Sequence, residues 1–184
     1  MLGLGSYPWV VLALAAQRLE ELRLSARRQR GVAGEVAAPR WFPAMVLTHA
    51  ALFIVPSVEA RLCQRRPRHR AAWLAALLGA TALRRWCIAS LGEAWNVRAL
   101  VPDPLPVSER GPYRYVRHPN YLAVAVEFLA LPMAGGAWAS AVGLSLANLV
   151  VLVPRIRAEE QLLARDPGYR ERFSGRARFI PGIF

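Results

Sequence analysis

The sequence predicts an all-α integral membrane protein of about five transmembrane helices, the last two folded as a hairpin. Three observations carry that expectation. Hydrophobic residues make up 55% of the 184 positions, yet 24 basic side chains face 12 acidic ones, for a formal charge of +12. A soluble domain of this size is rarely so apolar and so basic at once. The charge is also segregated, with Arg clusters separating uncharged runs close to the ~20 residues that cross the hydrocarbon. Apolar content excludes disorder, and two cysteines exclude a disulfide scaffold.

Every basic residue is Arg. The isoelectric point near 11.3 suits nucleic acid, but nucleic-acid binders interleave Arg with aromatics on a solvated face, and here the Arg residues flank apolar runs instead. The reading is therefore no nucleic acid. Cys63 and Cys87 lack metal-ligand spacing, so no metal site is expected.

Residues 1–17 are uncharged and read as a first, short helix, since no basic stretch precedes them as in a signal peptide. Leu19, Leu22 and Leu24 continue it into the interface. Residues 18–40 read as a polar link with six Arg. Residues 41–58 form the second span, with Trp41 as an interfacial anchor and Pro43 and Pro56 near its ends. A basic link follows at 61–70. The third span, 71–91, contains Arg84 and Arg85, and at least one of them is expected to snorkel. Residues 92–120 hold four prolines between Pro102 and Pro112 and read as an extended loop, uncommonly long unless it has a task.

Residues 121–154 carry one charge, Glu127, and centre on Gly135-Gly136, which suits a tight hairpin. Residues 155–184 read as a polar tail. The segments 18–40, 92–120 and 155–184 hold six, four and seven Arg, against five in 61–70. That excess puts the three-segment face in the cytoplasm and the N-terminus outside. Polar groups then converge at the hairpin base from both arms: Arg114, Arg117, His118, Asn120 and Tyr121 from one, Arg155, Arg157, Glu159 and Glu160 from the other. Arg155 and Glu159, four apart, share a helix face. His49 and Glu127 are costly in lipid and must face protein, either as structural hydrogen bonds or along a substrate path. Trp95 reads as an interface anchor and Asn148 as an interhelical hydrogen bond.

Gly111-Pro-Tyr-Arg-Tyr-Val-Arg-His-Pro-Asn-Tyr121 closely resembles the G-x-Y-x-x-x-R-H-P-x-Y signature of the isoprenylcysteine carboxyl methyltransferase family. Arg155-Ile-Arg-Ala-Glu-Glu160, after the hairpin, resembles that family's R-x-x-x-E-E ending. Asp166-Pro-Gly-Tyr-Arg-Glu-Arg-Phe173 and Arg178-Phe-Ile-Pro181 resemble its closing segment. The resemblance covers roughly residues 82–184. It implies one membrane methyltransferase domain over 1–184, with three spans in 1–91 and a cofactor-binding loop, hairpin and tail in 92–184. It implies S-adenosylmethionine as cofactor in a cytoplasmic pocket, with no Rossmann domain. Position by position, the resemblance points to Leu105, Pro106, Val107, Ser108, Tyr113, His118, Pro119, Asn120, Tyr121 and Glu159 as cofactor-binding. Arg155 matches the substrate-associated position.

Physical roles can be assigned beside the resemblance. Glu159 suits the cofactor ammonium or ribose hydroxyls, and His118 or backbone N–H groups suit its carboxylate. Tyr113 and Tyr121 can stack on adenine or face the sulfonium. A carboxylate acceptor needs only orientation, by Arg155; a phenol or enol needs a base, for which His118, His49 and Glu127 are candidates. The expected acceptor is lipophilic, a small molecule or a lipidated chain entering from membrane lipid; no oligomeric state follows. Residues 85–96 most resemble a bacterial branch acting on long-chain polyketide phenols or pyrones, which implies the bacterial inner membrane. Phospholipid N-methyltransferases, NADPH-dependent sterol-reductase-like proteins and a non-enzymatic scaffold are the competing classes.

Overall fold

A computed structural model describes residues 4–182, so the first three residues of the expected first helix and the last two of the tail lie outside it. Among the described residues six α-helices run α1 (Tyr7–Arg28), α2 (Phe42–Cys63), α3 (Arg70–Leu91), α4 (Pro119–Ala134), α5 (Trp138–Leu163) and α6 (Pro167–Phe173). Strand β1 (Gly34–Val36) pairs antiparallel with β2 (Leu100–Pro102), Glu35 opposite Val101. Among the described residues, α2, α3 and α5 with their flanks are long and apolar enough to cross a membrane. α4 is apolar but has only 16 residues.

Several boundaries differ from expectation, each for a tertiary reason. α1 runs beyond its expected amphipathic end at Leu24 to Arg28, so half of the expected polar link is helix. Its buried positions Tyr7, Val11, Leu14, Gln17, Glu21 and Ser25 recur at helical spacing, so one stripe passes from apolar to polar without leaving the protein interior. α5 likewise runs nine residues beyond Pro154, so Arg155–Glu160 is helix, not tail. α2 continues to Cys63, which makes Pro56 an interior proline. Arg85 is exposed, as snorkelling requires, but Arg84 is buried. Trp95, expected at the interface, is 2% exposed. The loop 92–120 is pinned by the small sheet, whose pairing is extended by Ala37 N–H to Ala99 O at 3.0 Å and Asp103 N–H to Ala33 O at 3.1 Å.

α4 is the central element, packed on α3 and α5 with ten of its 16 residues buried. Phe128, Ala130, Leu131 and Ala134 meet Tyr7, Val11 and Leu14 of α1, Leu52 of α2 and Leu77 of α3. α2 instead presents Leu47, Ile54 and Leu62 outward, as a lipid-facing helix does.

The hairpin turn is set by close approach. Gly136 has φ +77°, and a Cβ there would lie 2.7 Å from the Arg65 carbonyl oxygen. Ala137, the residue before α5, offers no side-chain cap, and Glu59 of α2 caps the helix instead. It accepts from Ala139 N–H at 3.2 Å, Ser140 N–H at 2.7 Å and Ser140 Oγ at 2.6 Å. An acidic group at a helix N-terminus satisfies unpaired donors and complements the dipole. Glu59→Ala is expected to cost about 1–2 kcal/mol, read as a lowered melting midpoint in detergent.

Candidate functional site

His118-Pro119 explains the start of α4. Pro119 occupies the first helical turn, where its missing N–H costs nothing, and His118 is the flanking residue. Tyr121 therefore falls in the first turn and meets α5. Its hydroxyl donates to Glu159 and accepts from Arg155 Nε at 3.3 Å. The two α5 residues share a face and are joined through this phenol. Arg155 also donates through Nη2 to the Val97 carbonyl, tying α5 to the loop.

Glu160 organises the other side of the base. Its carboxylate accepts from His118 Nε2 at 3.2 Å and from Arg178 at 3.0 and 2.9 Å, with Arg117 at 3.2 Å. Backbone pairing docks the tail on the motif, through Arg117 N–H to Ala177 O and His118 N–H to Arg178 O at 2.9 and 2.8 Å. The 3₁₀ turn Gly111–Arg114 presents Tyr113 inward. Gly111 has φ +58°, and a Cβ there would lie 1.9 Å from Ser90 Oγ. Burial first, then neighbouring Cys87, pushes the Tyr113 hydroxyl well above its usual pKa. Burial, then Glu159, pushes Tyr169 up to about 12. Both remain neutral phenols at physiological pH.

These groups surround a cavity of about 450 Å³, within the size range of small-molecule sites. Its lining includes Leu105, Pro106, Val107 and Ser108 of the loop, Tyr113, His118, Asn120 and Tyr121 of the motif, Arg155 and Glu159 of α5, and His49 of α2. Ser108 Oγ donates to Ser90 O at 2.9 Å, so that hydroxyl anchors the loop to α3. Two expected site residues are not on the wall. Pro119 is buried in the helix start, and Glu127, 2% exposed, accepts from Arg18. Sequence reasoning had not placed Arg18, Glu21, Arg84, Trp95, Tyr169 and Phe173 on the cavity, yet they line it. The available signal was the α1 stripe, where Gln17, Glu21 and Ser25 extend a buried apolar face. Asn148 is buried and lines the cavity too.

Beneath the motif residues, Glu21 accepts from Arg84 Nε at 2.9 and 3.1 Å, with Nη2 at 2.8 Å. Arg18 bridges Glu21 and Glu127. Among the described residues, Arg155 Nη1, Trp95 Nε1, Arg18 Nε and Arg117 Nε are buried donors of cavity-lining side chains with no protein acceptor.

Two comparisons bear on this arrangement. The model of the isoprenylcysteine carboxyl methyltransferase family matches residues 73–165, which include α3, the loop, the hairpin and the Glu pair. A protein of Bacillus subtilis (strain 168), named uncharacterized protein YpbQ, is 30% identical over 162 residues, covering 84% of this chain and 95% of the relative. A match over half the chain, and a relative aligned along nearly its whole length, place this integral membrane chain in the isoprenylcysteine carboxyl methyltransferase family.

Proposed function

We propose that the chain is an S-adenosylmethionine-dependent O-methyltransferase acting on a lipophilic acceptor, an isoprenylcysteine-type carboxylate or a long-chain polyketide phenol or pyrone hydroxyl. One observation carries the reading: a single cavity joins a polar end at the motif residues to an apolar arm between α1 and α2. Leu19, Leu22 and Val46 line that arm and are also exposed, which gives it a mouth on the apolar flank of the molecule. An alkyl chain can therefore stay in lipid while its head reaches the polar end.

The donor set fits the cofactor's zwitterion. Glu159 supplies a carboxylate for the ammonium or a ribose hydroxyl. Trp95 Nε1 is a buried donor with no protein acceptor among the described residues, which suits a carboxylate. His118 spends Nε2 on Glu160, so only its Nδ1 is left for a ligand. When bound, the cofactor supplies a methyl group made electrophilic by its sulfonium. The chain's task is to align the nucleophile and exclude water. Arg155 orients an anionic acceptor. For a hydroxyl acceptor, His49 is the best-placed base: its Nδ1 donates to Met45 O at 2.8 Å, leaving Nε2 to accept, whereas Glu127 is engaged by Arg18 off the cavity wall.

In this reading α1 and α4 also cross the bilayer, making five spans. The N-terminus lies outside, and the cofactor site and C-terminus are cytoplasmic at a bacterial inner membrane, in accord with the Arg excess. Calorimetry on detergent-purified protein tests it, with S-adenosylmethionine and S-adenosylhomocysteine as ligands and NADPH as control. Both sulfur ligands are expected to bind at micromolar levels. Glu159→Gln and His118→Ala should each weaken them about 10- to 100-fold. Binding of NADPH alone, or of no ligand to cooperatively melting protein, would overturn the reading.

A further inference from the structure

Arg84 and Glu21 belong to none of the motifs above, yet both are buried charges that line the cavity. With Nε and Nη2 of Arg84 held by Glu21, Nη1 donates to Asn120 Oδ1 at 3.0 Å. A guanidinium carries donors only, so the atom it meets on Asn120 has to be the carbonyl oxygen. The NH2 is thereby turned the other way. Among the described residues Nδ2 has no hydrogen-bond acceptor on the protein, and Asn120 lines the cavity. Glu21 is itself held, accepting from Gln17 at 2.9 Å and from Arg18, which also reaches Glu127.

We propose that Arg84, clamped by Glu21, is a positioning residue: it locks the Asn120 carboxamide with its NH2 toward the cavity, where that NH2 donates to an acceptor atom of bound S-adenosylmethionine. The inference rests on the reading that the cavity takes this cofactor. An unclamped amide can turn either its oxygen or its nitrogen to a ligand; the clamp removes one of the two choices before binding. It also brings α1 into the binding machinery, since Glu21 lies outside the 73–165 segment matched by the family model.

Asn120→Asp tests the donor. The replacement keeps the shape, and its oxygen still accepts from Arg84, now with charge assistance, so the clamp is retained. The second oxygen replaces the NH2 in the cavity. Expected is a melting midpoint at or above that of the parent protein. Affinity for S-adenosylmethionine and S-adenosylhomocysteine should fall roughly 10- to 100-fold. The pair Arg84→Gln with Glu21→Gln removes both buried charges together. It is expected to raise the KM for S-adenosylmethionine several-fold per folded molecule, with a smaller change in kcat at saturating cofactor. Undiminished affinity in folded Asn120→Asp, or an unchanged KM in the folded double variant, would overturn the proposal. If the parent protein binds neither ligand, the functional reading fails instead, so the two failures are distinguishable.

Discussion

Glu21→Ala is expected to destabilise the protein by about 3–5 kcal/mol. The carboxylate is 6% exposed, and two guanidinium groups converge on it, Arg84 at 2.8–3.1 Å and Arg18. Removing it leaves Arg84 buried with only the Asn120 carbonyl and the face of Trp95, 5.9 Å from the ring centroid. A lone buried charge costs far more than the net gain of the intact pair. The exposed pair Arg165–Glu35 is the internal control: its side chains are 68% and 62% exposed. Glu35→Ala should change stability by less than about 1 kcal/mol. Thermal melts of both variants in one detergent, followed by circular dichroism, decide the matter; equal midpoints would show that the buried cluster carries no such energy.

Arg155→Lys is expected to lower kcat/KM for the lipophilic acceptor by about 100-fold, roughly 2.7 kcal/mol of transition-state stabilisation. Arg155 is 4% exposed and divides its guanidinium three ways. Nε meets the Tyr121 hydroxyl, Nη2 meets the Val97 carbonyl, and Nη1 of this cavity-lining residue has no protein partner among the described residues. Lysine keeps the charge but concentrates it at one point, and cannot hold the phenol and the loop carbonyl while reaching the acceptor. Misplacing an in-line nucleophile by an ångström is enough to produce such a loss. Methylation kinetics with prenyl-cysteine and alkylresorcinol acceptors, together with calorimetry of S-adenosylhomocysteine, give the readout. Cofactor affinity should change far less than kcat/KM. An equal fall in both would make Arg155 a cofactor-binding residue instead.

The helical hairpin was legible because its cues are local. Residues 121–154 are nearly uncharged, and Gly135-Gly136 interrupts them; the turn falls there because Gly136 alone tolerates its φ and the Arg65 carbonyl. The convergence at the hairpin base was legible from chain direction, which returns α5 to the level where α4 began. The ends of α1 and α5 were not. Charges were read as leaving the membrane, whereas Arg18, Glu21, Arg84 and Glu127 neutralise one another inside the helix bundle. Composition in a window cannot show that a charge has a partner more than 60 residues away. The β1–β2 pair escaped for the same reason: each strand has three residues, too few for a periodic signal, and they pair across an intervening 63-residue stretch.

The apolar helices, the hairpin and the motif residues follow from the local chain, because hydropathy, glycine conformation and i,i+4 spacing are local properties. Which polar atoms are spent and which are left for a ligand depends on how the helices pack. Glu160, not Glu159, holds His118; Tyr121 couples Arg155 to Glu159; and Arg84, supported from α1, turns the Asn120 amide. Those assignments depend on hydrogen-bond partners from different helices. Buried polar groups must pair wherever geometry permits, and that geometry exists only once the helices have packed.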